Sequence, residues 1–170
     1  IGALVARRRR FKRTPISPLM FGGGQERGLR PGTLPVPLIA GLGEASRLAV
    51  GEAKQREMTA LAAKEALVNA LAPLGATFNG DRERSIASTL NVSLPGVDSE
   101  AAIVALKTVA AISNGSACTS QRYEPSQVLR ATGLAPENTN GALRFSFGTG
   151  IPDESIKNIV ARLRALKSDA

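Results

Sequence analysis

The sequence has 170 residues, of which 43% are hydrophobic and 21% charged, a balance typical of a globular protein rather than a disordered tail. It contains one cysteine and no histidine, which excludes an internal disulfide, Ser-His-Asp and Cys-His nucleophile pairs and histidine metal sites within this chain. Because no apolar run approaches about 18 residues, the composition favours a soluble, cytoplasmic protein without a membrane span.

Most of the net charge of +8 comes from one basic segment near the start of the chain. Its members are Arg7, Arg8, Arg9, Arg10, Lys12 and Arg13. These are six of the 22 basic residues, so that 16 remain against 14 acidic residues. The segment contains a single aromatic residue, Phe11, and therefore lacks the stacking surface of a nucleic-acid site. A solvated loop or a docking surface for an acidic protein is favoured, and direct nucleic-acid binding is the weaker alternative.

The first third of the chain predicts a strand-like stub, a loop and a helix. Ile1–Ala6 is apolar and begins without a turn or an initiator methionine, which predicts that the chain is part of a longer polypeptide. Thr14–Thr33 is rich in Pro and Gly and has no helical or strand period, as expected of a long loop. Residues 35–71 carry apolar residues at helical spacing, which predicts one long helix or two abutting ones, ended by Pro73 and Gly75.

The remainder, from about residue 76, predicts the order strand, strand, helix, strand, loop, helix, strand, helix. Ala87–Leu94 alternates apolar and polar residues like a half-buried strand, and Asp98 or Ser99 is placed to cap the helix that follows. The later predicted elements are a short strand at Ala110–Ser113, a helix at Ser126–Thr132, a strand at Leu143–Phe147 and a helix starting at Pro152. This order predicts an α+β unit with helices packed on a small sheet.

The predicted domain organisation has three parts. Residues 1–34 are interpreted as the trailing edge of another domain, residues 35–72 as a long linking helix, and residues 73–170 as a small α+β domain.

Cys118 lies in the segment ISNGSACTSQRYEPS, where its neighbours are small or hydroxylated rather than apolar. This setting is typical of a thiol on an exposed loop, and Arg122 is the nearest charge that would favour a thiolate. Cys118 is therefore a candidate nucleophile. The residues alone leave open that it is an ordinary, inert cysteine.

Two further segments are suited to binding anions. In LRFSF, Arg144 falls on the strand face opposite Leu143 and Phe145, and its guanidinium fork fits a carboxylate or a phosphate; the alternative is an ordinary solvent-facing arginine. The segment GGGQERGLRPGT offers many backbone N–H groups together with Thr33, although it matches neither a P-loop nor a dinucleotide fingerprint.

Several stretches, taken in order and spacing, resemble one family. They are IGAL at 1–4, FGGGQERGLRPGTLPVPLIAGLGEA at 21–45, TLNVSLPGVDSEAAIVAL at 89–106, SNGSACTSQRYEPSQVLRATGL at 113–134 and LRFSFG at 143–148. Together they resemble the C-terminal half of the IscS/NifS-type cysteine desulfurases, which are members of the class V aminotransferase family. The resemblance extends from Ile1 to about Leu166.

This resemblance implies a dimeric enzyme of the aspartate-aminotransferase fold (fold type I) that uses pyridoxal 5'-phosphate to take sulfur from L-cysteine, leaving L-alanine. It implies that Cys118 is the nucleophile that becomes a persulfide and passes its sulfur to an acceptor protein. It also implies that Arg144 holds the substrate carboxylate, and that Thr33 reaches the cofactor phosphate across the dimer interface. Residues 1–34 would then be the trailing edge of the cofactor-binding large domain.

The family's cofactor-binding lysine belongs to a segment that precedes IGAL, so the resemblance implies that this lysine lies outside the chain and that the enzyme is incomplete as it stands. None of the chain's lysines matches that position. The sequence SNG before SACTS departs from the more common SSG and hints at the branch that supplies DNA phosphorothioation (DndA-like); iron–sulfur assembly and tRNA thiolation remain open. Two other interpretations remain: an autonomous sulfur carrier without cofactor, and a basic nucleic-acid-binding module.

Overall fold

The computed structural model describes residues 1–7, 10, 15–115, 126–148 and 150–168. The chain forms two compact units, Ile1–Ala53 and Lys54–Ala170. The division falls inside the long helix that the sequence assigns to a separate linking segment. The three-part organisation of residues 1–34, 35–72 and 73–170 stays a prediction.

The first unit is mostly irregular up to its helix. Ile1–Ala6 was expected to be strand-like, and this prediction is wrong: these residues form no strand and are exposed. They pair with no other segment among the described residues, and an apolar segment without a pairing partner does not hold a strand. The Pro- and Gly-rich segment is irregular as expected, apart from a 3-10 turn at Gln25–Gly28.

Helix α1 spans Val36–Leu71 without a break, so the structure has one helix rather than two abutting ones. Its buried side chains begin only at its C-terminal part and follow helical spacing: Ala60, Ala63, Lys64, Leu67 and Leu71. Several apolar residues at helical spacing are exposed, among them Leu38 at 54% and Met58 at 56%. Helical spacing therefore predicted the helix but does not by itself indicate which apolar residues are buried.

A three-stranded antiparallel sheet forms the centre of the second unit. Its strands are β1 (Thr77–Phe78), β2 (Thr89–Ser93) and β3 (Ala142–Ser146), in the order β1-β2-β3. The register places Leu90 opposite Phe145, and Asn91 opposite Arg144. The strand expected at Ala110–Ser113 is reduced to a single bridge between Ser113 and Arg144.

In the described part of the chain, four α-helices follow α1: α2 (Ser99–Leu106), α3 (Gln127–Ala131), α4 (Pro136–Asn140) and α5 (Asp153–Ser168). The predicted cap of α2 is Asp98, whose Oδ1 accepts hydrogen bonds from the backbone N–H groups of Glu100 (3.0 Å) and Ala101 (2.9 Å). Ser126 caps α3, and Gly133 ends it with a φ of +79°. Helix α4 was not predicted, because five residues are too few to show a helical period.

The hydrophobic core lies on one face of the sheet. Leu90, Val92, Leu143 and Phe145 cover that face and pack against α1, α2 and α5. Two hydrogen bonds between distant parts of the chain hold α5 in place: Arg162 Nη1 donates to the Ala105 carbonyl (2.6 Å), and Lys167 Nζ donates to the Leu74 carbonyl (2.8 Å). The described helices include none that combines the length and the apolar character needed to cross a bilayer.

Lys64 of helix α1 is hydrogen-bonded to the segment that connects β1 with β2. The side chain is 5% exposed, and its Nζ donates to Ser85 Oγ (2.7 Å) and to the Ile86 carbonyl (3.0 Å). The same ammonium lies 5.5 Å from the centre of the Phe78 ring. Burial lowers the pKa of Lys64, and the nearby Arg82 charge acts in the same direction.

This lowered pKa predicts a stability difference that depends on pH. Between the folded-state pKa of Lys64 and its ordinary value of 10.5, the unfolded chain binds more protons, so stability rises with pH. We expect the unfolding free energy of the parent, minus that of Lys64→Met, to increase as the pH rises through this window. Urea unfolding followed by circular dichroism measures it, with Lys157→Met, at an exposed position of α5, as the matched control. If the difference in unfolding free energy between the parent and Lys64→Met does not change with pH, the lowered pKa of Lys64 is contradicted.

Candidate functional site

The second face of the sheet is polar, in contrast to the core face. It carries alternate residues of the paired strands: Thr89, Asn91 and Ser93 on β2, and Arg144 and Ser146 on β3. The alternation predicted for Leu143–Phe147 is confirmed, because Leu143 and Phe145 are buried whereas Arg144 and Ser146 are exposed. This face is the candidate functional surface.

Arg144 is the cation of that face. Its side chain is exposed, and its guanidinium makes no hydrogen bond or ion pair with any residue in the described part of the chain. A guanidinium held on a strand with its donors unoccupied is well suited to bind a carboxylate at two points.

The backbone of Arg144 is tied to the segment that leads to Cys118. Arg144 N–H donates to the Ser113 carbonyl (2.6 Å), and Ser113 N–H donates to the Arg144 carbonyl (3.1 Å). The next residue, Asn114, donates through Nδ2 to the Oγ of the buried Ser99 at 3.2 Å. Cys118 itself, with Arg122, lies in the stretch 116–125, outside the described residues. The cysteine segment therefore leaves the sheet at the residue that pairs with Arg144.

A network of polar side chains lies beside Arg144 on the same face. Asn79 Nδ2 donates to Asn91 Oδ1 (2.7 Å) and to Ser93 Oγ (2.8 Å), and Ser93 Oγ donates to the Asn138 carbonyl (2.6 Å). Ser93 is 1% exposed, so its hydroxyl is out of contact with water, whereas Asn79 and Asn91 are half-buried. Asn79 Oδ1 is buried and has no partner among the described residues.

Thr33 belongs to the first unit and lies between the 3-10 turn and α1. The turn is closed by a hydrogen bond from Gly32 N–H to Gln25 Oε1 (3.1 Å), and Gly32 has a φ of +107°. Thr33 is exposed, and its hydroxyl has no hydrogen-bond partner in the described ranges. An exposed hydroxyl after a glycine-rich turn fits a phosphate group.

Other types of site find less support. The described residues contain no cluster of acidic or cysteine side chains that would hold a metal ion. Within the basic segment the structure describes Arg7 and Arg10, which are exposed, whereas Arg8, Arg9, Lys12 and Arg13 lie outside the described residues.

Sequence reasoning missed the polar network and the pairing of Ser113 with Arg144. The signal for the first was present, because Asn91 and Ser93 occupy the polar positions of a strand whose alternation is regular. Their partners could not be inferred, since Asn79 and Asn138 come from segments 14 and 45 residues away from Ser93.

Comparison with known proteins gives consistent matches. The family model for aminotransferase class-V matches residues 1–159. The cysteine desulfurase IscS of Photobacterium profundum is 42% identical over 165 residues, covering 96% of this chain and 40% of that protein. Among solved structures, a NifS-like protein is similar with a TM-score of 0.75 and 30% identity, covering 94% of this chain and 41% of that one.

A further solved structure, DndA from Streptomyces lividans, is 42% identical with a TM-score of 0.59 and covers 80% of this chain and 38% of its own. The chain thus spans about 40% of the length of the curated relative described above. These matches confirm the predicted family and the predicted fold class, that of a fold type I transferase.

The two faces of β3 predict opposite effects of neighbouring substitutions. Arg144→Ala should change the free energy of unfolding by less than about 1 kcal/mol, because the side chain is exposed and unpaired in the described structure. Phe145→Ala should cost about 3–5 kcal/mol, because it empties part of the core. Chemical denaturation measures both. A large loss for Arg144→Ala would show that the arginine supports the fold rather than a ligand.

Proposed function

Because the chain belongs to the aminotransferase class-V family, we propose that it is the C-terminal part of a cysteine desulfurase. The observation that carries the proposal is the position of Arg144, whose guanidinium has no partner among the described residues and whose backbone is bridged to Ser113, five residues before Cys118. The side chain of Arg144 thus offers a binding group for a carboxylate, and the backbone of the same residue holds Ser113, from which the cysteine segment begins. The substrate is L-cysteine and the products are L-alanine and a persulfide on Cys118.

Arg144 binds the α-carboxylate of L-cysteine through its guanidinium fork. Two parallel N–H donors match the two carboxylate oxygens, so the fork fixes orientation as well as position. A fixed carboxylate limits where the substrate sulfur lies relative to Cys118. The polar face of the sheet therefore selects amino acids over simple amines.

Cys118 acts as the nucleophile. Its thiolate attacks the sulfur of L-cysteine; an S–S bond forms, the substrate C–S bond breaks, and the carbon that loses sulfur takes up a proton to give L-alanine. The chain has no histidine to activate the thiol. Arg122 is the neighbouring charge in the sequence that favours the thiolate.

Pyridoxal 5'-phosphate, on which class-V aminotransferases depend, supplies the electron sink that weakens the C–S bond. Thr33 fits its phosphate as an exposed hydroxyl donor after a glycine-rich turn, and we assign it to the phosphate bound by a partner subunit of a homodimer. The chain covers 40% of the length of its curated relative, and we propose that the lysine that links to the cofactor belongs to the remainder of the protein.

The sulfur acceptor is a second protein, which takes the outer sulfur of the Cys118 persulfide. This protein acts in iron–sulfur assembly, tRNA thiolation or DNA phosphorothioation. The chain is 42% identical both to DndA and to the Photobacterium IscS, so sequence identity favours none of these pathways over the others. The cytoplasm is the proposed location. Neither a membrane nor a nucleic acid is needed as a direct partner.

The first test is Cys118→Ser in the complete protein. We expect this variant to form no protein persulfide from L-cysteine, because a hydroxyl does not accept sulfur, while the visible absorbance of the bound cofactor is retained. Intact-mass spectrometry after addition of L-cysteine, together with an absorbance spectrum, measures both. A parent protein that binds the cofactor but gains no sulfur at Cys118 would refute the proposal; a parent that gains sulfur only from another persulfide donor would favour the sulfur carrier.

The second test is Arg144→Ala. Removing a charge-assisted pair should raise KM for L-cysteine about 10- to 100-fold, with a smaller effect on kcat. Steady-state alanine formation measures the two constants, and Arg164→Ala on the exposed side of α5 is the control for a lost positive charge. An unchanged KM would remove Arg144 from the carboxylate role.

A further inference from the structure

Asn91 lies directly across from Arg144 in the β2–β3 pairing and on the same polar face. We propose that Asn91 donates a second, separate hydrogen bond to the carboxylate that Arg144 binds, and that Ser93 holds Asn91 in the orientation needed to donate. This inference rests on the proposed function, since it concerns the same carboxylate. It adds a specificity-determining residue, Asn91, and a positioning residue, Ser93.

The orientation of Asn91 follows from its partner. Asn91 Oδ1 accepts from Asn79 Nδ2 at 2.7 Å, and Asn79 belongs to the β1 side of β2. The oxygen and nitrogen of a planar carboxamide lie about 120° apart on one carbon, so with Oδ1 turned toward Asn79 the Asn91 Nδ2 group is turned away from that residue. Strand β3 and Arg144 lie on that other side.

The single proton of the Ser93 hydroxyl fixes this arrangement. Ser93 Oγ donates to the Asn138 carbonyl at 2.6 Å and has no second proton, so it accepts from Asn79, which must present its Nδ2. Asn79 then also donates to Asn91, which must present its oxygen. Exchanging the oxygen and nitrogen of both the Asn79 and the Asn91 amide would lose one of the three hydrogen bonds. It would also place an N–H group of Asn79 where the buried Oδ1 now lies without a partner among the described residues.

The spacing suits a shared ligand. Opposite residues of an antiparallel pair have Cβ atoms about 4.5–5.5 Å apart, so the Asn91 amide and the Arg144 guanidinium can converge on one carboxylate when the arginine side chain folds toward β2. Asn91 Nδ2 makes no hydrogen bond to a residue in the described ranges, which leaves both of its N–H groups available. An amide also adds no charge, so it favours a carboxylate without strengthening the attraction for unrelated anions.

The experiment measures carboxylate recognition separately from sulfur chemistry. The complete protein with its cofactor is titrated by calorimetry with L-alanine and with ethylamine, which lacks the carboxylate. The preference for L-alanine over ethylamine should fall about 10-fold in Asn91→Ala, as expected for one lost hydrogen bond to a charged group. Asn158→Ala, an identical substitution at an exposed position of α5, should leave the preference unchanged.

Two further variants distinguish the loss of a hydrogen bond to the carboxylate from a general effect on the structure. Asn91→Asp keeps the oxygen that accepts from Asn79 but removes the donor, so it should fold like the parent and lose at least as much preference as Asn91→Ala. Ser93→Ala should lower the preference in the parent but not in the Asn91→Ala background, because Ser93 acts only through Asn91. Equal effects of Ser93→Ala in both backgrounds would assign it a purely structural role.

An unchanged preference in Asn91→Ala and Asn91→Asp would overturn the inference, as would a parent protein that does not prefer L-alanine at all. A parent that binds L-alanine selectively but forms no persulfide would instead contradict the proposed desulfurase while leaving the carboxylate site intact. The two failures are thus distinguishable.

Discussion

The antiparallel pairing of β2 with β3 is the constraint on which the second unit depends. Its register places four large apolar residues on one side and the polar residues around Arg144 on the other. A shift of one residue would exchange the faces, burying a guanidinium and exposing Leu143 and Phe145. The hydrophobic core therefore fixes the position of the arginine more strictly than any contact made by the arginine itself.

The same strand carries both roles of the candidate site. The side chain of Arg144 is exposed, whereas its backbone N–H and carbonyl are used by Ser113. In the proposed function, binding of a carboxylate and the anchoring of the cysteine segment would share one residue without competing for the same atoms. Such a division would let the cysteine segment begin at a fixed point beside the substrate while the chemistry is performed further along the chain.

Local patterns in the sequence predicted the elements whose causes are local. The cap at Asp98, the end of α3 at Gly133 and the alternation around Arg144 each depend on a few neighbouring residues, and all three are present. The strand expected at Ile1–Ala6 is absent. Features that depend on distant partners, namely which part of α1 is buried and the amide network of Asn91, could not be predicted from local patterns. The candidate site residues were predicted from the resemblance, whereas the side chains that surround Arg144 could be recognised only from the strand register.

The hydrogen bonds that close the second unit join residues far apart in the chain, including Lys167 with Leu74 across 93 positions. During synthesis, β2 has no β3 to pair with until the region around residue 146 has emerged, and the last core-covering helix comes later still. The nascent chain therefore carries Leu90 and Val92 without their β3 partners over this interval. Interruption of translation before α5 would leave the core face of the sheet without one of its covering helices, and such an exposed apolar surface favours aggregation.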